Sequence, residues 1–176
     1  MATIGYDLYV KLLNQAIAVE RGEEIKTEKS DCLIDITVDA FIPEKYIPYT
    51  INRIESYKRI ASLENEEDVS DLLDELIDRY GDVPDSVMGL IDISLLRVKA
   101  ASVGIYEVVQ RKDNIMFYSN DFAKIDIGEV LKTTKHKIAI NSVNKPYISA
   151  QIKNGESSLD VMKDMLETFK HAEIKK

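Results

Sequence analysis

The stretch over residues 64–85, ENEEDVSDLLDELIDRYGDVPD, constrains the fold more tightly than any other part of the chain. Val69, Leu72, Leu73, Leu76, Ile77 and Tyr80 fall at i, i+3, i+4, i+7, i+8 and i+11, one continuous apolar stripe of helical period. Asn65 is placed to cap the first turn, with Asp68 three residues on, and Gly81 is placed to end the last. A helix with such a stripe needs other elements to bury it, so the segment implies a packed domain around it. The same stretch holds ten carboxylates and one cation, Arg79, in a chain whose net charge is −8. It therefore accounts for the acidic balance of the whole.

Glu67, Asp71, Asp74, Glu75 and Asp78 lie opposite the stripe. Asp71 with Asp74 or Glu75, and Asp74 with Asp78, are like-charge neighbours that each cost about a few tenths of a kcal/mol. Asp78 also sits near the helix C-terminus, where the macrodipole disfavours an anion. Stability alone would not select this face. Three readings remain open: a solvated surface, a docking surface for a basic partner, or carboxylates that bind metal or do acid–base work. The third fits least well. DVSDLLDE lacks the Gly-centred ligand order of a calcium loop, and catalytic carboxylates need burial to shift their pKa, whereas this face is expected to be exposed.

The chain has 176 residues, 45% hydrophobic and 31% charged, as expected of a folded protein with a sizeable core. No run approaches the length of a membrane span, and the start, with Asp7 and Lys11 in an amphipathic pattern, is not that of a signal peptide. A lone cysteine excludes an internal disulfide and agrees with a cytoplasmic setting. Its apolar neighbours Leu33 and Ile34 make Cys32 a buried structural thiol. Residues 1–104 are net acidic and 105–176 slightly basic. Nucleic-acid binders show a basic stripe, so direct DNA binding is not expected, and the acidic part favours a partner with a basic surface.

Tyr6, Tyr9, Val10, Leu13, Ala16, Ile17 and Glu20 follow helical spacing up to Gly22. The chain is expected to begin within or just before that helix, as an excised fragment would, with a charged connector over 23–30. Alternation over 32–40 predicts a half-buried strand with Cys32, Ile34, Ile36 and Val38 inward. After Pro43 and Pro48 a helix is expected to about Leu63, with Ile51, Ile54, Tyr57 or Lys58, and Ala61 inward. Arg53, Lys58 and Arg59 are expected to pair with neighbouring carboxylates. Beyond the acidic helix, Pro84 starts a helix running to Gly104 that is apolar nearly all round and hence central. Strands are expected at 105–110, 114–119, 136–143 and 147–152, with helices at 121–132 and 158–171. The fold class is α+β: a single domain of about six helices with mainly antiparallel strands in hairpins.

The catalytic templates are missing. There is no phosphate-binding glycine loop and no GxGxxG after a strand. His136 and His171 have no second His or Cys at ligand spacing and are expected to be surface histidines.

Five ordered motifs carry a resemblance. They are Gly5-Tyr6-Asp7-Leu8-Tyr9; Ile42-Pro43 with Tyr46-Ile47-Pro48; Tyr57-Lys58-Arg59-Ile60-Ala61; Glu75-Leu76-Ile77-Asp78-Arg79-Tyr80-Gly81 with Pro84; and Leu96-Arg97 with Ala100 and Gly104-Ile105. Together they resemble the C-terminal domain of bacterial transcription-repair coupling factor, with phenylalanine expected as often as tyrosine at Tyr80. Residues 106–176 carry few motif positions. The resemblance implies a parent ATP-dependent DNA translocase that removes stalled RNA polymerase and recruits excision-repair proteins. Residues 1–24 would be a helix from the end of its motor region and 25–176 its regulatory domain. The fragment lacks motor motifs, so no catalysis and no cofactor are expected of it, ATP and Mg belonging to the parent's motor domains. The expected partner is the UvrB-like N-terminal module of the same polypeptide, with UvrA and RNA polymerase involved indirectly. No membrane contact is expected, and the domain is expected to be monomeric. Docking would mask the UvrA-binding surface and hold the parent repressed. By motif position Glu75 and Asp78 would meet cations of that module, and helical spacing adds Asp71 and Asp74. The alternatives are a general module contacting RNA polymerase, or a hydrolase or metal-binding domain relying on the acids.

Overall fold

The computed structural model describes residues 32–174, so the expected N-terminal helix, the connector and the Gly5–Tyr9 motif lie outside the described residues. The described chain divides into two compact units, Asp39–Leu95 and 32–38 with 96–174.

The first unit is helical: α1 (Thr50–Ala61), α2 (Glu66–Tyr80) and the first half of α3 (Asp85–Ser102). Its core is an aliphatic cluster of Ile42, Ile47, Ile60, Leu63, Leu72, Leu76, Val87, Leu90 and Ile91. Burying each such side chain contributes about 1.5–3 kcal/mol. The start of α1 owes much to Arg53, whose guanidinium donates to the carbonyls of Ile47 (2.8 Å) and Pro48 (2.9 Å) and to Glu44 (3.2 Å). The register of α1 differs from expectation. Ser56 and Ile60 point inward, whereas Ile51 is 68% exposed. The rotation is held by Tyr57, whose hydroxyl accepts the Ile42 N–H at 2.9 Å, and by Ser94, which donates to the Ile60 carbonyl at 2.6 Å. In α3 the inward Gly89 lets the chain at Asp39 and Ala40 approach, since a Cβ there would lie 3.4 Å from the Asp39 oxygen.

The second unit carries a five-stranded sheet of order β1-β2-β3-β5-β4: Leu33–Asp35, Ile105–Arg111, Asn114–Ser119, Tyr147–Gln151 and Ile138–Asn141 in that order across the sheet. β1 pairs with β2 in parallel and the other three pairings are antiparallel. The expected strand over 32–40 is thus shorter, although Cys32, Ile34 and Ile36 are buried in alternation as its pattern implied. β2 and β3 meet across a tight turn with Lys112 at φ 53°, and β4 and β5 across one with Asn144 at φ 61°.

Two further helices complete this unit, α4 (Ile127–Thr133) and α5 (Ser158–His171). The latter buries Val161, Met162, Met165, Leu166 and Phe169, with the Phe169 ring edge-on to Phe117 of β3 at 5.3 Å between centroids. The single helix expected over 121–132 is instead a 3-10 turn at Phe122–Lys124 followed by α4. Asp121 and Asp126 each accept a backbone N–H, from Ala123 at 3.0 Å and Glu129 at 3.1 Å, and so start two elements rather than one. Between them Ile125 is extended and bridges to Glu173. Among the described residues no helix is long and apolar enough to cross a membrane.

Candidate interaction surface

The acidic helix α2 begins in a reciprocal cap. Asn65 Oδ1 accepts the Asp68 N–H at 2.9 Å, and Asp68 Oδ2 accepts the Glu64 N–H at 3.0 Å. Glu66, Glu67 and Asp68 occupy the first turn, where the macrodipole favours anions. The helix ends at Gly81, φ 82°, whose N–H reaches the Ile77 carbonyl at 2.9 Å. The Tyr46 hydroxyl lies within reach of two carbonyls at this end, Gly81 at 3.2 Å and Leu76 at 3.4 Å. Burial, with Asp82 and Tyr80 nearby, pushes its pKa above 10.0. Its ring meets Tyr80 edge-on at 5.8 Å.

Leu72 and Leu76 anchor α2 in the aliphatic cluster, with Val69, Leu73 and Tyr80 partly buried beside them. Ile77, expected in the same stripe, is 51% exposed. It lies beside Asp78 and three residues from Asp74, so the acidic face has an apolar margin.

The four candidate residues separate into two kinds. Asp71, Asp74 and Asp78 are exposed at i, i+3 and i+7, one side of two helical turns. Among the described residues they make no ion pair. Glu75 is half-buried between two arginines: Oε1 accepts from Arg79 at 2.9 Å, one turn on, and Oε2 pairs with Arg59 of α1. Arg79 also lies over the Tyr80 ring at 5.1 Å. The expected pairing of the α1 cations with nearby acids thus holds for Arg59 and, through Glu44, for Arg53. Both carboxylate oxygens of Glu75 are thus engaged within the domain.

The second unit holds a cluster that the sequence did not announce. His136, expected at the surface, is buried, its side chain 1% exposed. Its Nε2 lies 3.1 Å from Asp164 Oδ2 and its Nδ1 3.7 Å from Glu156 Oε2. Lys135 reaches the same Asp164 oxygen at 2.7 Å. Burial pushes the Asp164 carboxyl upward, but hydrogen bonds from Lys135 and His136, with their charges, outweigh it and hold the group below 3.8. The hydrogen bond to Asp164 raises Lys135 above 10.5. Local sequence around Lys135-His136-Lys137 looks solvated, and the two carboxylates come from 20 and 28 positions further on. His171 is exposed, as expected, and the Cys32 side chain is buried. No group of three or more His, Cys, Asp or Glu among the described residues is arranged to hold a metal ion.

Known proteins resemble this chain. A family model described as the TRCF domain matches residues 36–130, more than half of the chain. The transcription-repair-coupling factor of Bacillus subtilis (strain 168) is 34% identical over 125 residues, which is 71% of this chain and 11% of that protein. That of Staphylococcus aureus (strain NCTC 8325 / PS 47) is 38% identical over 131 residues, which is 73% of this chain and 11% of that protein. The chain spans about a ninth of the length of these relatives. Among solved structures, the crystal structure of the C-terminal domain of a transcription-repair coupling factor superposes with a TM-score of 0.66. It is 23% identical and covers 82% of this chain and 99% of that one.

Proposed function

The chain belongs to the TRCF domain family, and from that premise we propose that it serves as a non-catalytic regulatory domain of a DNA translocase that couples transcription to nucleotide excision repair. Its acidic face docks on a basic surface of the UvrB-like N-terminal module of the same polypeptide. Docking covers the surface that would take up UvrA, and engagement of RNA polymerase and DNA releases it. ATP and Mg chemistry belongs to the motor domains of such a parent, in the cytoplasm.

One observation carries this reading. Asp71, Asp74 and Asp78 stand exposed on one side of a rigid, well-anchored helix, with no ion pair among the described residues. They repel one another there, so a cationic partner relieves a cost that folding leaves standing. Asp78 and Asp74 are the central contacts. Glu75, held by Arg59 and Arg79, positions those arginines rather than meeting the partner directly.

The test is charge reversal, D74K with D78K, in a full-length coupling factor carrying this domain. A clamp of this kind is worth roughly 1–3 kcal/mol of coupling, or about 5–150-fold in affinity. The expected outcome is tighter UvrA binding and raised basal ATPase, with the circular dichroism of the domain unchanged. Unchanged UvrA affinity and ATPase in a folded variant would show that this face does not repress.

A further inference from the structure

The sheet of the second unit ends on a bare strand. Among the described residues β4 is outermost and pairs with β5 alone. The Gln151 N–H donates to the Lys137 carbonyl at 2.9 Å, so the opposed residues Ile138 and Ala150 are a pair of the non-hydrogen-bonded kind. Alternation then turns the N–H and C=O groups of Ala139 and Asn141 toward β5, and those of Ile138 and Ile140 away from it. Among the described residues these outward groups have no hydrogen-bond partner. Ile138 and Ile140 share a face of the sheet with their opposites Ala150 and Ile148, both fully buried. Ile140 is nevertheless 46% exposed, and Val143, just beyond the strand, 66%. Backbone and side chains at this edge are both left half-completed.

The charge around the edge is of one sign. Residues 130–155 contain Lys132, Lys135, Lys137, Lys145 and Lys153 and not one carboxylate, in a chain of net −8. Lys132 pairs with Glu129 and Lys135 with Asp164, and Lys153 donates to the Lys135 carbonyl. Lys137 and Lys145 are exposed at the two ends of β4 and make no ion pair among the described residues. Lysines on an edge strand discourage pairing with a like edge. A second copy would set two lysine-flanked, carboxylate-free edges against each other, which is unfavourable. Phosphates would suit the lysines, but the outward carbonyls of Ile138 and Ile140 would face them with negative dipoles. A peptide strand satisfies donors, acceptors and charges together.

We propose that the outer edge of β4 receives an extended acidic peptide segment as a sixth strand. Its backbone bonds to Ile138 and Ile140, an apolar side chain covers Ile140, and its carboxylates meet Lys137 and Lys145.

The experiment titrates the 15N-labelled 176-residue chain with the blocked peptide acetyl-EVEVEVE-amide. Two further versions are N-methylated at every second amide, one in each phase, because a strand added at one edge uses only alternate amides. The expected result is saturable binding with at least about tenfold slower hydrogen exchange at Ile138 and Ile140. It should be lost with one N-methylated version and kept with the other, and weakened at least about tenfold in K137E/K145E. A second variant, I140P, removes an outward N–H without touching the ladder to β5 and should also abolish binding. The proposal is overturned if neither or both methylated versions lose binding, if no peptide binds, or if an oligothymidylate shifts the lysines and competes without protecting Ile138 and Ile140. In that last case the edge is a nucleic-acid contact.

Discussion

The first unit keeps its charges outside its core, and the second folds some of them in. In the first, the buried polar residues among those described are the serines Ser56 and Ser94, and the carboxylates of α2 line an outer face. In the second, a buried imidazole is packed between Asp164 and Glu156 with Lys135 at its rim. The difference separates two uses of ionisable residues. On α2 Asp71, Asp74 and Asp78 are displayed, and removing one should leave the fold alone. Around His136 they are part of the packing, and removing one should be felt as instability.

The largest effects test the cores rather than the charges. Phe169→Ala deletes the ring that packs on Phe117 and should cost about 3–5 kcal/mol, and Leu76→Ala about 2–5 kcal/mol in the aliphatic cluster. Urea denaturation measures both, and a loss under about 1 kcal/mol for either would mean the core is misplaced. His136→Ala comes next, at about 1–3 kcal/mol, because it empties a buried site and removes the hydrogen bond between Nε2 and Asp164. A loss indistinguishable from that of an exposed His171→Ala would erase the contrast between the units.

Smaller effects divide the acidic helix itself. Glu75→Gln weakens two partly exposed arginine pairs and should cost at most about 1 kcal/mol. Asp78→Asn should go the other way, stabilising by about a few tenths of a kcal/mol through relief of repulsion and of the helix dipole. Opposite signs in thermal melts would confirm that Glu75 is structural and Asp78 is displayed; equal signs would break that division. The smallest effect is read against pH. The carboxyl of Asp164 lies below its usual 3.8 when folded, so its stabilisation is present above that value and fades as pH falls through it. Lys135 lies above 10.5 when folded, so its share is present below that value and fades as pH rises past it. Asp164→Asn should flatten both ends of the stability profile, and a profile of unchanged shape would refute the pairing.

How much of this could be read from the chain depends on the range of the forces involved. The caps of α2 at Asn65 and Gly81, the buried run of α3, the hairpins and the inward face of α5 all follow from patterns within a few residues, and they stand where the periodicity put them. Spacing alone places Ile51 and Ile77 inward, yet tertiary hydrogen bonds at Tyr57 and Ser94 set the rotation of α1, and the stripe of α2 is narrower than its apolar run. The parallel partner of β1 lies some seventy positions away in the chain and has no local signature. The acidic face was legible as a charge anomaly, but not the difference between Glu75 and its neighbours, which depends on Arg59 arriving from another helix. His136 escapes for the same reason: its two lysine neighbours in sequence look solvated, and two distant carboxylates supply a buried site instead.

The grip of Arg59 and Arg79 on Glu75 has one more consequence. Two guanidinium groups around one carboxylate leave a local surplus of one positive charge in the middle of a negative helix. An approaching surface therefore meets mixed signs, with the positive tripod of Arg59, Glu75 and Arg79 set among Asp71, Asp74 and Asp78, rather than a uniform field. A uniformly negative helix could slide along a basic partner with little loss. In the docking proposed above, a helix marked in this way would fit with an acceptor opposite the arginines and cations opposite the aspartates, so the three residues that brace the fold would also set its phase.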